Sequence, residues 1–222
     1  MFDIFAHRKS MRRCRKQQCI FFLFLKIITK KYIFITIVPI YILDQLIRCL
    51  ERNYKKTLYV NADRLQSFQW MLENGEPIRD ASVYAGLSGN LGNVYRIVRH
   101  VIRKEGFSYL PPFKAALMSL GIPYRVFALL AEAARKEQEY DYIVIDADSV
   151  FDEEKAALMQ LADKILIVTK QTEYAVKATN ELIQNVNRCA AVGSSNAFSS
   201  SFLKSLQRNI YLSLLFRFTF WI

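Results

Sequence analysis

Three apolar runs in this chain end in side chains that could do chemistry. Tyr142–Ile145 (YIVI) runs into Asp146 and Asp148, Thr57–Asn61 (TLYVN) ends at Asn61 with Asp63 just beyond, and Ile165–Thr169 (ILIVT) leads to Lys170 and Gln171. Continuous apolar strands alternating with amphipathic helical patterns argue for a mostly parallel sheet covered on both faces. In such sheets ligands bind beyond the carboxyl ends of the strands. Asp63, Asp146 and Asp148 therefore stand where a ligand could be held. An aspartate at that edge can also simply cap the following helix and cover the strand end, and both readings stay open.

Other chemistries find little support. The only histidines are His7 and His100, so no Ser/His/Asp or Cys/His arrangement can be argued. Cys14, Cys19, Cys49 and Cys189 lack the tight, repeated spacing of a zinc site and read as free thiols. Gly86-Leu87-Ser88-Gly89-Asn90-Leu91-Gly92 precedes a helix, where an anion could bind. It has no Lys-Ser/Thr ending and follows no clear strand, so it reads as a flexible turn.

The positioning elements follow from periodicity and punctuation. Asp44 is expected to cap a helix to about Arg52, with Leu46, Ile47 and Leu50 on its apolar side. Leu65–Leu72 reads as a helix ended by Asn74-Gly75, and Asn93–Lys104 as an amphipathic helix stopped by Gly106. Phe107–Leu110 is strand-like, and Ala115–Leu120 and Tyr124–Gln138 are helical. Helices over Asp152–Leu161 and Thr172–Val186 complete the pattern.

The stretch EYDYIVIDADSVFDEEKAALMQLADKILIVTKQTEYAVKATNELI (Glu139–Ile183) resembles the second half of ParA/MinD-type, deviant Walker P-loop ATPases. The matching pattern is a Tyr-Asp start, an apolar strand, a terminal Asp, a helix, and Ala-Asp before another apolar strand. KKTLYVNADRLQSF (Lys55–Phe68) resembles that family's strand with an Asp-x-Asp-like end, although the first Asp is Asn61 here and the following Pro is Arg64. The resemblance implies a three-layer α/β fold of the P-loop NTPase type and a chemistry of ATP and Mg²⁺. It implies that Asp146 is the Walker B carboxylate holding a water ligand of Mg²⁺. It places Asp63 near the attacking water and Asp148 in the loop that senses the γ-phosphate. Intact relatives use ATP to position septa, cargo or pilus machinery and form homodimers.

A P-loop needs glycines so that backbone N–H groups can wrap the phosphates, and a Lys for their charge. The resemblance would put it around residues 30–45, yet the first glycine of the chain is Gly75. The sequence therefore predicts a fold incomplete at its N-terminal strand and P-loop, and a degenerate or truncated family protein that does not turn over ATP by itself. The alternative is a non-catalytic, membrane-associated or partner-binding protein that keeps only the α/β fold.

The formal net charge of +11 sits on the flanks. Residues 1–31 carry +8, residues 188–222 carry +4, and the body is −1. Three regions are expected: a basic, apolar flank over 1–43, an NTPase-like domain over 44–187, and a Ser-rich linker with a basic, aromatic tail over 188–222. No specific nucleic-acid motif is present. The basic flanks suit an anionic membrane, with a C-terminal amphipathic helix as one means of attachment. Lys26, Lys30 and Lys31 interrupt the apolar run 20–43, so a cytoplasmic protein, peripheral at the membrane, is preferred over one with a transmembrane helix there.

Overall fold

The computed structural model describes residues 32–37, 40–66, 72, 75–89, 91–168, 173–174, 177–181, 184 and 210–213. All belong to one compact unit, Tyr32–Ile222. Its framework is a seven-stranded sheet. The strands are β1 (Tyr32–Ile37), β2 (Thr57–Ala62), β3 (Arg103–Glu105), β4 (Phe107–Leu110), β5 (Tyr142–Ala147), β6 (Lys164–Val168) and β7 (Ile210–Ser213). They lie in the order β3-β4-β2-β5-β1-β6-β7, and every pairing is parallel except that of β3 with β4.

Two strands lie outside the span 44–187. β1 is hydrogen-bonded between β5 and β6, in the interior of the sheet. The first strand is thus present where the sequence predicted an incomplete fold; YIFITI is β-branched and aromatic enough to form it. It also makes Tyr32–Ile37 a strand within the apolar run 20–43. No helix among the described residues is long and apolar enough to cross a membrane. β7 extends the sheet beside β6 with Ile210–Ser213, inside the tail considered as an interfacial helix. The linker 188–201 and most of the predicted helix Leu65–Leu72 lie outside the described residues.

Helix α1 (Ile40–Arg52) begins four residues before the expected cap at Asp44. Leu43, Leu46, Ile47 and Leu50 are buried along it. Alternation along β2 sorts the rest of the core. Leu58, Val60 and Ala62 join one cluster with residues of α2 (Ala81–Ser88), α3 (Val94–Val98), α4 (Val126–Glu137) and α5 (Glu153–Leu161). Thr57, Tyr59 and Asn61 point to the opposite face, the side covered by α1, and are also buried. Burial of both faces explains why β2 and β5 read as unbroken apolar runs.

The predicted helix Asn93–Lys104 is shorter than its periodicity suggests. Asn93 caps α3 by accepting from the Arg96 N–H at 3.0 Å, and a 3₁₀ turn follows at Arg99–Val101. Arg103–Glu105 then pairs antiparallel with β4. Gly106 makes the tight turn with φ of 80°, a conformation open to glycine without Cβ strain. The supposed Gly86–Gly92 turn is partly helical, since Gly86 lies within α2. A Cβ on it would stand 3.1 Å from Ile97 Cγ2, so glycine lets α2 and α3 approach closely.

Asp80 caps α2, accepting from the Ser82 N–H at 2.8 Å and the Ser82 hydroxyl at 2.7 Å. The Ser82 side chain first, then His100 and the Ser82 backbone, hold its carboxyl down to about 2. A carboxyl depressed in the folded state stabilises above its ordinary pKa and loses that contribution as pH falls through the folded value. The stability gap between wild type and Asp80→Ala should therefore close as pH falls from about 4 to about 2. Urea unfolding at stepped acid pH measures it.

Candidate functional site

β2 and β5 are neighbours in register, with Asn61 opposite Asp146 and Ala62 opposite Ala147. Register partners point to the same face, so Asn61 and Asp146 share the α1 side at the carboxyl edge. Tyr59, two residues before Asn61, is fully buried there. Burial first, then the negative charge of Asp146 and of Asp63, push its phenol well up. Asp146 and Asp63 therefore act on one buried group. Asp146 is half-buried, and β1 flanks it on the other side through the pair Thr36–Asp146.

Asp63 and Asn61 shape the turn after β2. The Asp63 N–H donates to Asn61 Oδ1 at 2.9 Å, and the Leu65 N–H donates to Asp63 Oδ1 at 3.0 Å. Buried Gln66 locks this turn: its Nε2 donates to the Asn61 and Asp63 carbonyls, and its Oε1 accepts from the Phe113 N–H. Asn61 Nδ2 is buried and has no hydrogen-bond partner among the described residues.

Asp148 stands in a different setting. Arg64 Nη1 donates to both of its carboxylate oxygens, at 2.7 and 2.8 Å. Lys155 Nζ donates to its Oδ1 at 2.9 Å and to its carbonyl at 2.7 Å. Lys155 is only 1% exposed. Arg64 also pairs with Asp152, which caps α5 through the Lys155 N–H. The Tyr124 ring lies beneath, 4.0 Å from the Arg64 guanidinium carbon and 5.2 Å from Lys155 Nζ. Burial alone would raise the Asp148 carboxyl, but Lys155 and Arg64 together hold it below its ordinary value. Burial lowers the Lys155 ammonium, against the pull of Asp148.

The backbone arrangement identifies the architecture. A ParA-family ATPase from Chlorobium tepidum TLS superposes with a TM-score of 0.58 at 15% identity, over 82% of this chain and 83% of that one. The septum site-determining protein MinD complexed with Mg-ADP, from Pyrococcus horikoshii OT3, gives 0.55 at 14% identity over 82% and 78%. The fold is that of the ParA/MinD-type ATPases. Pyrococcus furiosus cell division ATPase MinD agrees, at 0.55 and 17% identity over 81% and 80%. No protein-family model matches the chain, and no curated protein matches it by sequence. At such identities the likeness is one of fold.

Within the ParA/MinD-type fold, β1 leads to the first helix, and here only residues 38 and 39 separate Ile37 from Ile40. Among the described residues no group of three or more His, Cys, Asp or Glu could hold a metal ion. The structure sets Asp146 by the buried Tyr59 phenol and Asp148 in the Arg64–Lys155 charge cluster, while the charge of Asp63, on the turn after β2, is felt by both Tyr59 and Tyr124. Sequence reading did not find Arg64, Lys155 or Tyr124 as partners of Asp148. Arg64 is 84 positions from Asp148, and a lysine on an amphipathic helix reads as solvated. The one available signal was Arg64 itself, standing where the resembling pattern has Pro.

Proposed function

We propose that this chain is a ParA/MinD-type protein that has kept the Walker B edge and does not turn over ATP by itself. The observation that carries the reading is the two-residue connection between β1 and α1. A phosphate cradle of the GxxxxGK[ST] kind needs an eight-residue loop with several free backbone N–H groups. Residues 38 and 39 cannot supply it, and one of them is Pro39, which has no N–H. The chain's own residues therefore do not fit the triphosphate.

Asp146 fits a more limited role. A strand-end carboxylate can hold a water ligand of Mg²⁺, a hard cation that keeps most of its waters. One carboxylate without phosphates gives weak binding. Asp63 would orient a water beside it, and Asp148 would act through the loop that precedes α5. A homodimer and attachment to an anionic membrane through the basic flanks complete the proposal by analogy of fold and by charge.

Purified protein should show no Mg²⁺-dependent ATP hydrolysis above the buffer rate, and Asp146→Ala should change nothing in that assay. Turnover abolished by Asp146→Ala would sink the proposal. A second reading, a partner-binding protein that keeps only the fold, is favoured by exposed apolar side chains at the same edge. Leu65 and Val150 flank the Arg64–Asp148 contact in sequence, and Met118 follows Leu117, whose N–H donates to the Arg64 carbonyl. Mg²⁺ binding that Asp146→Ala abolishes would support the first reading, and its absence in the wild type would support the second.

A further inference from the structure

We propose that the amino edge of the sheet, where its parallel strands begin, is the face this protein turns to an anionic membrane. Tyr54 enters the lipid headgroup layer there, and Arg52, Lys55 and Lys56 meet its negative charge. The inference rests on the membrane attachment proposed above and gives it a place on the folded body. Residues 53–56 connect α1 to β2 at this edge. Tyr32, Tyr142 and Thr57 share one register row there, at the starts of β1, β5 and β2. The flank 1–31, with its charge of +8 and its apolar run Ile20–Leu25, is joined to the chain at Tyr32, on the same edge.

Packing does not account for Tyr54. Its φ of 56° is left-handed, just past the end of α1, where glycine is the usual residue. The Tyr54 N–H donates to the Glu51 carbonyl and the Lys55 N–H to the Leu50 carbonyl, so the helix end fixes this conformation. Tyrosine carries Cβ strain there that glycine would not. Burial does not offset it, because Tyr54 is 95% exposed. A ring with a polar tip suits the boundary between headgroups and acyl chains. The cations beside it are unspent. Arg52 and Lys56 are exposed, Lys55 is half-buried, and none of the three makes an ion pair among the described residues. The nearby acids are engaged elsewhere. Asp141 accepts from the Lys56 N–H at 3.0 Å, Glu139 pairs with Arg99, Asp163 pairs with Arg135, and Glu51 lies against Gly106. Lysine and arginine near an anionic leaflet are drawn to it. A nucleic acid would also meet these cations, but it would leave the exposed ring and the apolar run of the flank without a role.

The test is co-sedimentation of the full chain with vesicles of phosphatidylcholine and phosphatidylserine at about 7:3, against phosphatidylcholine alone. Wild type should bind the anionic vesicles, and Lys55→Gln/Lys56→Gln should bind them at least about tenfold more weakly. Tyr54→Gly should bind at least about threefold more weakly while its urea midpoint equals or exceeds that of wild type. A ring with a structural role would do the reverse, losing stability with binding intact, and that result overturns the proposal. Arg125→Gln removes an exposed charge beside Tyr124, at the carboxyl edge, and should bind within about twofold of wild type. Wild-type binding that both edge variants retain overturns the proposal and leaves attachment by the flanks standing. Wild type that binds neither vesicle overturns both. A short DNA duplex is a further arm. Duplex binding lost in Lys55→Gln/Lys56→Gln, with vesicle binding unchanged, assigns the edge to nucleic acid and overturns the proposal.

Discussion

Asp148→Ala is expected to lower the unfolding free energy by about 3–5 kcal/mol, the cost of leaving a buried charge without its partner. The stranded charge is Lys155, whose Nζ then keeps, among the described residues, only the residue-148 carbonyl, at 2.7 Å, as a hydrogen-bond acceptor. Lys155→Met should cost much less, roughly 1 kcal/mol, because Arg64 still pairs with Asp148 through both carboxylate oxygens and methionine fills a similar volume. The double variant Asp148→Ala/Lys155→Met should then be more stable than Asp148→Ala alone. That recovery is the signature of direct coupling. Urea denaturation of the four proteins closes the cycle, in a buffer free of phosphate and carboxylate anions. If the double variant is less stable than Asp148→Ala by the full cost of Lys155→Met, the two residues act independently and the buried pair is not what holds the loop.

The framework was legible because β2 and β5 are buried on both faces. YIVI, TLYV and ILIV could be located from continuous apolarity, and Pro/Gly punctuation separated them from helices. Asp146 and Asn61 could be placed at one edge on the same grounds, since a parallel sheet aligns its carboxyl ends. β3 was hidden because Arg103–Glu105 continues the helical phase of the preceding segment, and only the hairpin closing at Gly106 turns it into a strand. β7 was hidden because Ile210–Ser213 is a short run far from any other element, with nothing local to fix its partner. The Arg64–Asp148–Lys155 cluster was hidden for a similar reason. It depends on side chains meeting across adjacent strands and a helix, and sequence spacing says nothing about which loop cation meets which acid. Asp148 could be read as a candidate from its place after β5, but not as a residue already bound by two cations.

The floor of that cluster carries the other large effect. Phe127 is 1% exposed and meets Tyr124 edge-on, with ring centroids 5.2 Å apart, and Phe113 at 6.4 Å. Phe127→Ala removes a whole ring from this packing and should cost about 3–5 kcal/mol, the transfer loss plus the cavity left behind. Phe127→Leu, which keeps most of the volume, should cost about 1.5 kcal/mol or less. Met118→Ala is the matching control, because Met118 is 93% exposed and its truncation should stay within about 0.5 kcal/mol. The placement of Phe127 adds a consequence that a remote cavity would not have. Tyr124 loses the wall that fixes its ring under Arg64 and Lys155, so Phe127→Ala and Asp148→Ala should not be additive. Each loosens a group the other needs, and the double variant should be more stable than the two separate losses predict. Strict additivity in urea denaturation would mean that Tyr124 is held by other contacts and that the aromatic floor and the charge cluster above it are energetically separate.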